Sequence, residues 1–133
     1  MSAHLFTYGT LEVPEVFAAI TGRQITGFAA KLPGYARYYL QGAAYPGIVT
    51  MPGASLQGTL YLDLDATTHK KIDHYEDTCY EKRQVTVRLD DGQELTALAY
   101  VIPEDKSHLL SSRRWDRQQF IEQHLENFLR YLR

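Results

Sequence analysis

The chain has 133 residues, with 14 Lys and Arg against 16 Asp and Glu, a net charge of −2, and hydrophobic and charged fractions of 44% and 23%. That length sets a single domain spanning residues 1–133, large enough to bury a core without staples, while the ordinary composition excludes a disordered tail, a collagen-like fibre and a coiled coil, and the near-neutral balance speaks against a nucleic-acid partner. No apolar run approaches the ~20 residues of a membrane span, Met1 to Thr7 carries no signal-peptide pattern, and the lone Cys79 cannot close an internal disulfide, which together point to a reducing, cytoplasmic compartment.

The elements follow in chain order. His4 to Tyr8 is short, apolar and aromatic and stops at Gly9, which reads as a buried first strand. Pro14 opens a helical pattern that runs to Ile20 and ends at Gly22. Gln24 to Leu32 reads as a second strand, with Pro33-Gly34 as a turn. Tyr35 to Leu40 and Gly47 to Met51 are short strands, and Pro52-Gly53 is another turn. Ser55 to Leu64 alternates, with Leu56, Gly58, Leu60, Leu62 and Leu64 pointing one way. Asp65 stands as N-cap of a helix from Ala66 to Tyr75. Tyr80 to Leu89 and Glu94 to Ile102 form a hairpin through Asp90-Asp91-Gly92-Gln93. Pro103 to Ser112 reads as a loop. From Trp115 onward, Phe120, Ile121, His124, Leu125, Phe128 and Leu132 recur at the spacing of one amphipathic closing helix. About six or seven strands with few helices predict an α+β fold: a small mixed, mostly antiparallel β-barrel with short helices around it. Ten tyrosines suit a barrel whose interior is partly polar, although ordinary half-buried strand tyrosines account for most of them.

Two places could carry chemistry. At Tyr8-Gly9-Thr10-Leu11, a glycine turn ahead of a helix can present backbone amides to a carboxylate or phosphate; a plain strand-to-helix turn is the plainer reading of the residues alone. At the end of the middle helix, Ile72, Tyr75 and Glu76 can share the inward face. A carboxylate desolvated there would have its pKa raised above its reference of about 4.3, toward values useful for proton transfer. Solvated acids at Asp73, Glu76 and Asp77 are the plainer reading. His69 and His74 are five apart, which is not a one-face pair, and no metal-ligand motif is present, so they and Cys79 read as structural. Arg113, Arg114 and Arg117 read as the solvated start of the last helix.

These pieces in combination resemble the γ-glutamylcyclotransferase-like superfamily, in the branch of γ-glutamylamine cyclotransferases and plant avirulence-induced proteins. Leu5 to Leu11 looks like its apolar strand and YGTL loop. Leu32 to Tyr35, Tyr45 to Val49 and Ser55 to Tyr61 look like its LxGY, YPxxV and VxGxLY segments. Ile72 to Glu76 looks like its LDxxE segment, and Tyr80 with Val85 and Val87, Tyr100-Val101, and Trp115 with Phe120 look like later ones. Asp77, Lys82 with Arg83, and the Ser-Ser-Arg-Arg before Trp115 depart from the pattern. The resemblance implies a mixed-strand barrel and a reaction in which the α-nitrogen of a γ-glutamyl amide attacks its own γ-carbonyl, giving 5-oxoproline and a free amine. It implies Glu76 as the acid–base catalyst, Tyr8, Gly9, Thr10 and Leu11 as the substrate-holding loop, and Tyr45, Tyr80 and Tyr100 as pocket residues. The partner implied is a small γ-glutamyl compound, with no metal, cofactor, nucleic acid or membrane. A non-catalytic binding module of the same fold, or removal of a γ-glutamyl group in a biosynthetic pathway, stands as the alternative.

Overall fold

The computed structural model describes residues 2–76 and 78–132. Five strands form a closed barrel: β1 (Ser2–Thr7), β2 (Phe28–Tyr39), β3 (Pro46–Asp65), β4 (Glu81–Leu89) and β5 (Glu94–Val101), in the order β1-β3-β2-β4-β5. All neighbours are antiparallel except β1 and β5, which meet in parallel at the single pair Leu5–Leu98. The α-helices are α1 (Pro14–Thr21), α2 (Ala66–Tyr75), α3 (Arg117–Gln123) and α4 (Leu125–Leu132). Phe6, Tyr8, Leu32, Ile48, Leu56, Leu60, Val85 and Val87 fill the barrel. The opposite faces of β1 and β3 offer Leu5, Tyr61 and Leu64 to Phe17 of α1 and Ile72 of α2. One sheet therefore serves two apolar layers, because strand side chains alternate between faces.

Four expected strands merge into two long ones. Pro33-Gly34 and Pro52-Gly53 are not chain reversals. Pro33 pairs with Ser55 and Tyr35 with Thr50, so the two dipeptides face each other in one bulge of the β2–β3 ladder. Gly34 at φ 84° and Gly53 at φ 85° supply the left-handed conformations that such a bulge needs. The second strand begins at Phe28, not Gln24. Arg23 is tied back to Thr21, and Ile25 packs into the outer layer instead of joining the ladder. A second bulge lies in β3 opposite His4. The register slips between Ala3 and Leu5, Asp63 takes φ 51°, and its amide donates to His4 Nδ1 at 3.1 Å. Tyr61 faces the outer layer by alternation with Leu60, and the slip sends Leu64 there too, so Leu64 does not share the inward face expected for it with Leu56 and Leu60.

The expected N-cap and hairpin form as read. The Asp65 carboxylate accepts from the Thr68 amide at 2.8 Å, and Gly92 closes on Leu89 at 2.9 Å. The segment read as a loop contains a 3₁₀ helix at Glu104–Leu109 and then runs beside β2, with hydrogen bonds Tyr39 to Arg113 and Ser111 to Tyr39. The closing helix is two helices. His124 at φ −127° breaks it, so Phe120 packs on Trp115 while Phe128 turns toward the barrel mouth. Trp115 itself precedes the helix, buried, with its indole N–H on the Ala44 carbonyl. Among the described residues, no helix is long and apolar enough to cross a membrane.

Candidate active site

A cavity of about 400 Å³ opens at the barrel end where β1 stops and α2 ends. Its wall contains Tyr8, Gly9, Thr10 and Leu11 from the loop after β1, and Glu76 directly after α2. Tyr45, Tyr80 and Tyr100 complete the set expected from the sequence, so all eight candidate residues line one space. Asp77 lies outside the described residues.

Local geometry explains each position. Glu76 is the residue just past α2; its amide closes on the Ile72 carbonyl at 3.0 Å and its backbone is extended, so the chain leaves the helix at the cavity. Ile72 is wholly buried and anchors the last turn. The loop does not lead straight into α1. A 3₁₀ turn at Thr10–Glu12 intervenes, and α1 starts at Pro14 with Val13 as N-cap. The amides of Glu12 and Val13 close on the carbonyls of Gly9 and Thr10. Among the described residues, no loop or turn hydrogen bond takes the amide of Gly9, Thr10 or Leu11 as donor. The first amides of a helical turn have no partner within it, which leaves them to a ligand. Packing gives a further reason for glycine at position 9. A Cβ there would lie 2.8 Å from the ring of Pro46, itself part of the cavity wall.

The phenols are fixed. Tyr8 donates to the Tyr100 carbonyl at 2.6 Å and Tyr80 to the Pro46 carbonyl at 2.6 Å; Tyr75 pairs with Thr10 Oγ1 at 2.8 Å. Tyr100 donates to Asp73. Burial pushes all four above the usual phenol range, and the negative charge of Glu76 pushes the same way, so they remain neutral. Asp73 also accepts from Lys82 at 3.0 Å. Burial opposes its ionisation, but the hydrogen bonds from Tyr100 and Lys82 outweigh that and hold its carboxyl below the usual range. Lys82 further contacts His69 Nδ1 at 3.0 Å, while His69 Nε2 meets the Ala3 carbonyl at 3.0 Å. Both ring nitrogens of His69 are thus committed to structure, as expected, and the ammonium of Lys82 sits over the Tyr100 ring at 5.6 Å.

Glu76 is the one residue of formal charge among the described lining residues; the rest are tyrosines, two threonines, glycine and apolar side chains. A site so built favours an ammonium at the carboxylate and an anion at the amides. Sequence reasoning did not nominate Tyr75 for the pocket, nor Phe128, Tyr131 and Leu132 of α4, which form its outer wall. The helical spacing of the closing segment placed Phe128 and Leu132 on an inward face, but nothing in the sequence said which cavity that face would cover.

The comparisons agree with this architecture. A family described as "Gamma-glutamyl cyclotransferase, AIG2-like" matches residues 5–117. The protein AIG2 C of Arabidopsis thaliana is 29% identical over 134 residues, covering 99% of this chain and 80% of the relative. A solution structure of an Arabidopsis thaliana protein superimposes with a TM-score of 0.76 at 28% identity, over 98% of this chain and 79% of that one. A structure named γ-glutamyl cyclotransferase shares the fold, with a TM-score of 0.67 at 16% identity, over 99% and 86% of the two chains. With the matched segment reaching from within β1 to the start of α3, the chain belongs to the AIG2-like family of γ-glutamyl cyclotransferases.

Proposed function

We propose that the protein cyclises a γ-glutamyl amide or amine to 5-oxoproline and releases the free amine, with Glu76 as general base and acid. The observation that carries this reading is that the Tyr8–Leu11 loop and the end of α2 meet in one cavity; the contact between Thr10 and Tyr75 spans 65 residues of sequence. The substrate's α-carboxylate lies on the loop amides and its α-ammonium faces Glu76. The nitrogen, once deprotonated, attacks the γ-carbonyl carbon, the C–N bond to the amine breaks, and a five-membered lactam remains. Each proton that the α-nitrogen sheds is one that the leaving nitrogen gains, and a single carboxylate can carry them in turn. Holding the folded conformer supplies much of the rest, since well-oriented intramolecular attack is worth on the order of 7–11 kcal/mol at its best. The neutral, tethered tyrosines shape the space and exclude water without donating protons of their own.

The test is a panel of γ-glutamyl amino acids, amines and isopeptides with detection of 5-oxoproline. Glu76→Gln keeps the shape and loses the base, and turnover is expected to fall roughly 10²–10⁴-fold with little change in melting temperature. The acid-side limb of the pH–rate profile should vanish with it. Binding without 5-oxoproline from any of the panel would overturn the reading.

A further inference from the structure

Behind the Tyr8–Leu11 loop, on the side away from the cavity, lies a buried ion pair that the reaction does not use. Glu12 ends the 3₁₀ turn that carries Thr10 and Leu11, and is only 7% exposed. Its Oε1 accepts from Thr59 Oγ1 at 3.2 Å. Its Oε2 has no hydrogen-bond partner and stands 3.6 Å from Arg37 Nη1. That same Nη1 donates to the Tyr8 carbonyl at 2.7 Å and to the Gln57 carbonyl at 3.1 Å, and the guanidinium lies over Trp115. One arginine from β2 thus grips the first residue of the loop and faces the carboxylate at its far end. A buried carboxylate with one unsatisfied oxygen is costly and is retained only where its surroundings hold it.

We propose that Glu12 and Arg37 are a positioning pair that sets the backbone of the Tyr8–Leu11 loop for its ligand. The inference rests on the reading that this loop holds the substrate's carboxylate. With Glu12 ionised, Arg37 is drawn between the two ends of the loop and the turn is clamped; with Glu12 protonated, the clamp loses one of its jaws. Burial raises the Glu12 pKa to about 7, against the pull of Arg37 and Arg117 and the Thr59 hydrogen bond, so the change falls in the neutral range. The groups facing the pair from neighbouring elements are Arg117 and Asp116 at the start of α3, Tyr61 on β3, and Tyr8 itself; Glu15 of α1 lines the cleft outside. Tyr61 and Tyr8 are held neutral by burial, which leaves Glu12 as the titrating member near pH 7.

Two measurements test this on the intact chain. First, the backbone amide NMR shifts of Gly9, Thr10 and Leu11 are followed from pH 5.5 to 8.5 in a Glu76→Gln background, so that Glu76 cannot contribute. They are expected to titrate with a midpoint near 7, and to stop titrating when Glu12→Gln is added. Second, Glu12→Gln and Arg37→Lys are expected to raise KM for a γ-glutamyl amide roughly tenfold while kcat stays within about twofold, and to flatten the pH dependence of KM. Loop amides that do not titrate, or that titrate identically in Glu12→Gln, overturn the proposal, as does a loss confined to kcat. If no γ-glutamyl compound is turned over at all, the proposed function fails, while the amide titration still decides the role of Glu12.

Discussion

Asp73 lies in the last turn of α2, three residues before Glu76, and accepts from the Tyr100 hydroxyl, yet its carboxylate has a different task. It is half-exposed, it is paired with Lys82, and it holds the Tyr100 phenol by hydrogen bond. Asp73→Asn keeps an acceptor for that phenol and removes only the charge. We expect kcat/KM to fall less than about tenfold, far short of the loss for Glu76→Gln, with a stability change under ~1 kcal/mol because the ion pair is solvated. Steady-state kinetics on both variants side by side decide the assignment: an Asp73→Asn loss as large as that of Glu76→Gln would move the base to Asp73. At this scale Glu76 was legible through the resemblance of Ile72 to Glu76 to the LDxxE segment and not through spacing, which left a solvated acid the plainer reading; the residue leaves the helix in extended backbone at the cavity. The sequence was least legible at Glu12. Nothing around that residue in sequence distinguishes it from a solvated acid, because Arg37, Thr59 and Trp115, which bury and pair it, come from three distant segments.

Among the elements, the loop after β1 depends on close packing against the β2–β3 hairpin. Gly9→Ala would press a methyl group into the Pro46 ring at 2.8 Å, and Pro46 also carries the carbonyl that holds the Tyr80 phenol. The expected result is a shift of the cavity wall: substrate affinity lowered roughly tenfold and stability lowered by about 1–3 kcal/mol from overpacking. Thermal melts and ligand titration on Gly9→Ala check both, and unchanged affinity would show that the wall absorbs the methyl group elsewhere. Strand identities were legible from alternation, but strand lengths were not. A Pro-Gly pair signals a break in regular backbone, and only its partner across the ladder decides whether the break is a reversal or a bulge. Pro33-Gly34 and Pro52-Gly53 settle that choice for each other. The break at His124 was hidden because the helical periodicity continues through it: Phe120 and Phe128 on either side still meet edge to face at 5.5 Å in one cluster.

For the whole molecule, the buried carboxylate of Glu12 ties stability to pH. Its pKa rises from 4.5 to about 7 on folding, so the folded protein binds more protons than the unfolded chain within that window. Stability from this group therefore falls as pH rises from about 4.5 to 7 and is level above, by at most about 3 kcal/mol. Urea midpoints measured from pH 4 to 8 should show the wild type losing ground to Glu12→Gln across that window; parallel curves would mean that Arg37 compensates the burial fully. The fold class was readable because strand alternation and hairpin turns are local signals. The barrel was expected as well, but not which strands close it, since closure rests on one parallel pair between residues 93 apart.

That closing pair, Leu5 with Leu98, also sets when the site can exist during synthesis. The YGTL loop and the glutamate are both synthesised before β5, the strand that closes the barrel. Until β5 docks on β1, the Tyr100 carbonyl that holds Tyr8, and the Tyr100 phenol on Asp73, are missing from the cavity. The Glu76 carboxylate therefore exists before its pocket does, and the cavity is complete only once β5, and α4 after it, have docked.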